Sequence, residues 1–404
     1  MARMISDGAI GVVKATVPAI EAHGLAITQR MYERMFANPD IRDLFNQSNQ
    51  GDTGSQPRAL AAAILAYAQN IENLGALTQA VERIAQRHVG LNILPEHYPY
   101  VAEALLGAIR DVLGEAATPQ ILDAWGEAYW FLADILIGRE KEIYGEHQAA
   151  PGGWAGWRDL VVTEKRRESD VVTSFVLKAA DGGRVMRHKP GQHLTFWLDI
   201  PGRAALKRNY SISSAPNDDF YRISVKREPM GVASGWLHEE AGVGTVLKTA
   251  APAGEFVAPV SLERPLVLVS GGIGVTPLIS MLAALAPEKP EHPVQFVHAA
   301  ISGATHALGA EAKAIARDSG GTVRVTTFYE TPREHDVLGE AYDEKGRVTG
   351  EWLAAHTPLA AADYYLCGPR PFLRALAGEL RHHGVPSAQI RYEFFGPTDE
   401  ALAA

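Results

Sequence analysis

Cysteine is almost missing from this chain: Cys367 is the only one in 404 residues. An intrachain disulfide is therefore excluded, and such usage suits a reducing cytoplasm. Long apolar runs are missing too. No stretch reaches the roughly 20 apolar residues of a membrane helix. The first residues carry Asp7 and show no basic start followed by an apolar run, so neither a signal peptide nor a membrane anchor is expected there. There is no dense Lys/Arg block and the formal net charge is −9, which argues against nucleic acid as a partner. The hydrophobic and charged shares, 47% and 21%, are those of an ordinary globular protein, and the length fits two or three domains.

Strand alternation is absent from residues 1–150, where apolar residues recur with a helical period. Leu25, Thr28, Tyr32, Met35 and Phe36 form one stripe. Leu60, Ile64, Tyr67 and Ile71 form another, and further helices are expected from Tyr98 to Leu113 and from Pro119 to Tyr144. In VERIAQRH, Val81, Ile84, Ala85 and His88 share one face, so His88 ends an apolar stripe and points inward. Two uses fit such an imidazole: a core histidine satisfied by backbone carbonyls, or a metal ligand. The other histidines of this region, His23, His97 and His147, offer it no i+3 or i+4 partner, and no HExxH or CxxC pattern is present. A zinc site made by protein alone is therefore not expected. Haem needs one proximal histidine, and helices can hold it between them.

The order Tyr32, Phe45-Asn46, Leu60, His88 resembles a globin, and the fuller text FNQSNQ, YAQNIENL, VERIAQRH and LDAWGEAYWFLADILIGREKEIY resembles the haem domain of bacterial flavohaemoglobins. The resemblance implies His88 as proximal iron ligand and Phe45 packed on the haem. On the distal side it implies Tyr32 over the iron-bound ligand, Leu60 as an apolar wall and Gln56 as the distal amide; a lipid is a further candidate occupant of that pocket. Pro57 disfavours helical dihedrals at Gln56. Behind His88 it implies Tyr98 and Glu140, a pair that would make the imidazole more electron-rich. Glu142, two residues on, would point elsewhere on the helix.

At PGGWAGW, residues 151–157, glycine and proline mark a linker, and strands replace helices. Short β-rich runs at Val172 to Leu177, His193 to Leu198, Tyr210 to Ser213 and Tyr221 to Val225 predict a small antiparallel barrel over 151–262. Arg208-Asn209-Tyr210-Ser211 resembles the flavin signature of ferredoxin-reductase-type proteins. It offers a guanidinium for the pyrophosphate, an aromatic plane for the isoalloxazine and a hydroxyl for its polar edge. Gly231-Val232-Ala233-Ser234 could hold the same pyrophosphate at a helix start. Where the family often has tyrosine after PGQ, this chain has His193, which implies a looser flavin.

From residue 263 to 404 the pattern is βαβ, an α/β parallel sheet. A strand from Pro265 to Ser270 leads into Gly271, and then Gly272-Ile273-Gly274-Val275-Thr276-Pro277 opens a helix, a phosphate cradle of GxGxxP form. Cys367-Gly368-Pro369 resembles the nicotinamide-side loop of the ferredoxin reductases; for Cys367 itself, a buried small side chain and a cofactor-facing thiol are both open. In Tyr392-Glu393-Phe394-Phe395-Gly396-Pro397 the resemblance implies a return to the flavin, with Phe395 near the ring and Glu393 near the hydride path. No arginine follows His298 closely enough to take a 2′-phosphate, which favours NADH over NADPH.

Taken in this order, the motifs resemble a flavohaemoglobin along the full chain. The implied activity is that of a nitric oxide dioxygenase: NAD(P)H reduces FAD, FAD passes single electrons to haem b, and NO and O₂ become nitrate. A cytoplasmic monomer acting on these small molecules is expected. An oxygen-binding or sensing globin, and a flavin-linked reductase of ferric chelates or lipid hydroperoxides, stay open beside it.

Overall fold

The computed structural model describes residues 3–42 and 55–395. The chain forms two compact units, one made mainly of residues 1–149 and the other mainly of residues 150–396.

The first unit is helical. Ser6 accepts the Ala9 N–H and caps α1 (Asp7–Ala15), with Asp7 favourably placed in its first turn. Thr16 and Pro18 then break the chain by 72° into α2 (Val17–Phe36). The break is fastened from afar, because Trp125 donates its indole N–H to the Thr16 hydroxyl at 3.1 Å. After α3 (Pro39–Arg42) come α4 (Ser55–Gln69), α5 (Thr78–Gly90), α6 (Tyr98–Leu113) and α7 (Pro119–Ala149). The Leu60 stripe overruns its helix: Ile71 lies past the end of α4 yet is buried. α7 runs five residues beyond the predicted Tyr144. The core packs Ile27, Met31, Tyr32 and Met35 of α2 against Tyr67, Leu105, Ile109 and Trp125.

The second unit holds two six-stranded sheets. The first comprises β1 (Arg158–Arg167), β2 (Val172–Ala179), β3 (His193–Leu198), β4 (Leu206–Ser211), β5 (Tyr221–Lys226) and, after α8 (Val232–Glu239), β6 (Val246–Thr249), in the order β4-β3-β6-β1-β2-β5. Directly after β4, Ile212 bridges to Ile223 of β5, so the two edge strands meet and the sheet closes as a barrel. Strands β1 and β6 carry no clean alternation and were not expected from the sequence. β1 contributes Lys165, whose ammonium donates to the carbonyls of Leu237, His238 and Ala241 and so caps the C-terminal end of α8. At the linker, Gly152 adopts φ +70, and a Cβ there would meet the Val185 carbonyl at 2.7 Å. The glycine is therefore needed for both conformation and space.

The second sheet is parallel: β7 (Leu266–Gly271), α9 (Val275–Leu285), β8 (Val294–Ala300), α10 (Gly309–Asp318), β9 (Val323–Tyr329), β10 (Glu344–Lys345), α11 (Gly350–His356), β11 (Asp363–Cys367), α12 (Arg370–His382) and β12 (Ile390–Glu393). Its order is β10-β9-β8-β7-β11-β12. From β7 the chain first moves one way to β8 and β9, and later returns to β11 on the other side. The C-terminal ends of β7 and β11 thus flank the switch point, where ligands bind in such sheets.

Candidate functional site

On α5, α6 and α7, three side chains meet. His88 Nδ1 lies 2.7 Å from Glu140 Oε1 and 3.1 Å from the Tyr98 hydroxyl, and that hydroxyl donates to the same carboxylate oxygen at 2.6 Å. Tyr98 and Glu140 are buried, while the His88 side chain is 30% exposed. A carboxylate at 2.7 Å makes Nδ1 the protonated nitrogen, so the Nε2 lone pair is the one presented outward. Burial, and next the charge of Glu140, push the Tyr98 phenol well above its ordinary range, so it stays a donor. An imidazole oriented by a buried carboxylate is the donor set an axial haem ligand calls for. Among the described residues no group of three or more His, Cys, Asp or Glu could enclose a metal ion. Glu142 is exposed and pairs with Arg139 at 3.0 Å instead.

Tyr32 is buried in the α2 face, 5.5 Å from the Phe36 ring. Leu60 packs against the same core. The buried Thr28 hydroxyl is 3.0 Å from the Pro57 carbonyl, which ties the first turn of α4 to α2. α4 begins at Ser55, so the Gln56 backbone is helical despite Pro57. A proline in the first turn forfeits no hydrogen bond, since those N–H groups have no partner within the helix. Phe45 lies outside the described residues.

In the barrel, Arg208 and Tyr210 are half-buried on β4 and Ser211 is buried. The Tyr210 ring lies 5.8 Å from that of Phe196, and burial raises its phenol to about 12. Asn209 Nδ2 lies 3.2 Å from His193 Nε2, which joins the substituted position to the flavin motif. Gly231 caps α8, and the Ser234 hydroxyl is drawn into that turn, accepting the Glu228 N–H at 3.1 Å and donating to the Gly231 carbonyl at 3.3 Å.

At the parallel switch point, Gly272 takes φ +55 with open space above it. Gly274 serves another need: a Cβ there would strike the Cys367 carbonyl. Gly368 in turn approaches Gly271 N within 3.1 Å of its own ideal Cβ. The GGIG turn and the CGP turn are thus packed backbone to backbone. Ile273 lies in the one-turn helix that joins this loop to α9, and Val275, Thr276 and Pro277 form the first turn of α9, with the Thr276 hydroxyl donating to the Ile273 carbonyl at 3.0 Å. Cys367 is fully buried, and burial, then Glu393, hold its thiol well above the ordinary range. Of the two readings of this cysteine, the structure supports the buried one. Glu393 sits in register with Cys367 across β11 and β12. Arg370 lies 4.8 Å above the Phe394 ring, and Phe395 is 44% exposed. Gly396 and Pro397 fall outside the described residues.

Three family descriptions match the chain: Globin over residues 29–136, Oxidoreductase FAD-binding domain over 159–257 and Oxidoreductase NAD-binding domain over 268–377. A flavohemoprotein of Xylella fastidiosa is 49% identical over 404 residues, covering 100% of both chains. This chain belongs to the flavohemoprotein family. Another flavohemoprotein, from Rhodopirellula baltica, is 46% identical over 99% of this chain and 100% of its own. The flavohemoglobin of Malassezia yamatoensis, solved with bound FAD and heme, superposes with a TM-score of 0.86 at 28% identity, covering 97% of this chain and 100% of that one. The FAD/NAD-binding part of a nitric oxide dioxygenase from Vibrio cholerae is 38% identical over 59% of this chain and 99% of its own, with a TM-score of 0.54.

One cluster in this flavohemoprotein had no signature in the sequence. His298 Nδ1 lies 2.8 Å from the Ser270 hydroxyl beneath the GGIG turn, its ring stacks on His306 at 4.9 Å, and His306 Nδ1 lies 2.8 Å from the Tyr329 hydroxyl. The two histidines are eight positions apart, His298 in β8 and His306 in the irregular segment after it, where no period marks which side chains will meet.

Proposed function

We propose that this chain is an NAD(P)H-dependent nitric oxide dioxygenase, converting NO and O₂ to nitrate with electrons passed through FAD to haem b. Bound haem supplies the oxygen chemistry, and bound FAD divides a two-electron hydride into single electrons. The observation that carries the reading is the His88–Glu140–Tyr98 triad. Glu140 accepts the Nδ1 proton, orients the ring and makes Nε2 a stronger donor, which favours O–O chemistry over simple carriage of oxygen. On the distal side Tyr32, Leu60 and Gln56 would line the haem pocket, with the Tyr32 phenol as hydrogen-bond donor to a ligand there. Arg208, Tyr210, Ser211 and the Gly231–Ser234 turn bind the flavin. The loop from Gly272 to Pro277, with Cys367-Gly368 behind it, binds the dinucleotide. NADH is the preferred donor, because HAAISGATHAL offers no arginine for a 2′-phosphate. We divide the chain at about residues 150 and 262, a reading supported by the gaps between the three matched spans. The near absence of cysteine supports a cytoplasmic protein, and no single helix among the described residues is long and apolar enough to cross a membrane.

The test is an absorption spectrum of the purified protein followed by anaerobic NADH and then NO with O₂. Soret and flavin bands, bleaching of the flavin with reduction of the iron, and nitrate formed in step with NADH consumed are the expected results. A colourless preparation, or iron that stays ferric under NADH, overturns the assignment.

A further inference from the structure

Where the barrel meets the parallel-sheet part, apolar packing through Val172 and Phe256 is accompanied by a patch of buried serines. Ser174, Ser213, Ser214 and Ser224 are all buried there. Two links fasten the backbone at Ser213 and Ser214, directly downstream of the Arg208–Ser211 motif. In the first, Ser280 of α9, fully buried, donates its hydroxyl to the Ser214 carbonyl at 2.7 Å. That commits the only hydroxyl proton of Ser280, so His188 Nε2, 3.1 Å away, is the donor to Ser280 Oγ. His188 is itself buried, its Nδ1 has no hydrogen-bond partner among the described residues, and burial lowers its pKa to about 4, so the ring is neutral. In the second link, Arg222 of β5 donates to the Ser213 carbonyl and, at 3.1 Å, to the Ser213 hydroxyl. The same guanidinium forms a two-point pair with Glu311 of α10, at 2.7 and 3.0 Å.

We propose that Ser280 and Arg222 are positioning residues for hydride transfer, clamping the strand end that follows the flavin motif to the two helices that follow the nucleotide-binding strands. The proposal rests on the assignment above of FAD to Arg208–Ser211 and of the dinucleotide to the glycine loop. Apolar faces attract without direction and can slide over one another, whereas hydrogen bonds fix both distance and angle. A displacement of about 1 Å between reacting groups can cost on the order of 100-fold in rate. α9 begins where the GGIG turn ends, so a shift of Ser280 against Ser214 is a shift of the nucleotide loop against the flavin strand. His188 supports Ser280 from behind and also interacts with the Ser214 backbone, so it bears on the same link.

The test is stopped-flow reduction of the flavin by NADH in the full-length holoprotein, with Ser280→Ala and Arg222→Gln. FAD content and the NADH concentration at half-saturation are measured in the same samples. A clamp predicts full FAD content, half-saturation within about threefold of the parent, a limiting rate lower by about 10- to 100-fold, and a larger isotope effect with deuterated NADH. Ser280→Thr, which keeps the hydroxyl, restores most of the rate. Limiting rates within twofold of the parent overturn the proposal. If Ser280→Ala loses its flavin, the less deeply buried Arg222–Glu311 link decides: an unchanged limiting rate in Arg222→Gln overturns the proposal equally. A parent protein whose flavin NADH cannot reduce refutes the cofactor assignment instead.

Discussion

Glu140 reaches His88 from 52 positions away, and its Oε1 receives both the imidazole Nδ1 contact at 2.7 Å and the Tyr98 hydroxyl at 2.6 Å. One buried carboxylate oxygen thus serves two neighbours, while Oε2 has no hydrogen-bond partner among the described residues. Such a carboxylate is costly unless both its contacts are kept. In Glu140→Gln the charge is lost, the imidazole becomes a weaker donor and the iron–nitrogen bond softens. The iron–histidine stretch in resonance Raman spectra is expected to move to lower frequency, with NO turnover lowered by about 10- to 100-fold. An unmoved stretch would separate Glu140 from the iron.

His88→Ala removes the nitrogen that Glu140 orients. The purified variant is expected to lose its Soret band and keep one flavin per chain, because the flavin motifs lie in the other unit. Full haem occupancy in this variant contradicts the ligand assignment.

Tyr32→Phe deletes one hydroxyl inside the α2 core and leaves the ring. A hydrogen bond to a charged group is worth about 1.5–3 kcal/mol, or roughly 10- to 150-fold. Oxygen is expected to leave the reduced haem faster by about that factor, measured by flash photolysis or ligand displacement. An unchanged off-rate removes Tyr32 from the pocket.

His193→Tyr adds aromatic area beside Asn209 of the flavin motif. An added aromatic pair contributes about 0.5–1.5 kcal/mol, or roughly 2- to 12-fold. FAD titration of the stripped protein should show tighter binding by that amount. Weaker binding would mean that the His193–Asn209 contact itself holds the strand.

Burial holds His188 and His306 down at about 4 and His298 further below its ordinary value of 6.5. As pH falls from 6.5 toward 4, the unfolded chain takes up protons that the folded second unit refuses. The stability these rings contribute is therefore present above pH 6.5 and lost on acidification. The temperature at which FAD fluorescence appears should fall between pH 7.5 and pH 5, less steeply in His188→Phe. Equal slopes for the parent and the variant would show that His188 is neutralised in some other way.

Much of the fold was legible in the residues themselves. α6 and β3 match the predicted spans end to end, because their apolar periods and flanking breakers coincide. The glycine loop and RNYS stood out because turns and close backbone approaches restrict residue type. β1 and β6 gave no such signal, since strands paired on both sides and partly exposed need no strict alternation. At Gln56 the local steric bias of a residue before proline did not decide the backbone, because α4 as a whole begins at Ser55.

By itself the sequence determined the succession of helices, barrel and parallel sheet, and the stripe that turns His88 inward. Those are properties of near neighbours along the chain. Only the tertiary structure decided that Glu140 and not Glu142 meets His88, that Cys367 is sealed from solvent, and that Ser280 and Arg222 converge on two adjacent carbonyls. Each of these joins residues far apart in sequence, and no local pattern records which partner a side chain finds once the backbone has closed around it.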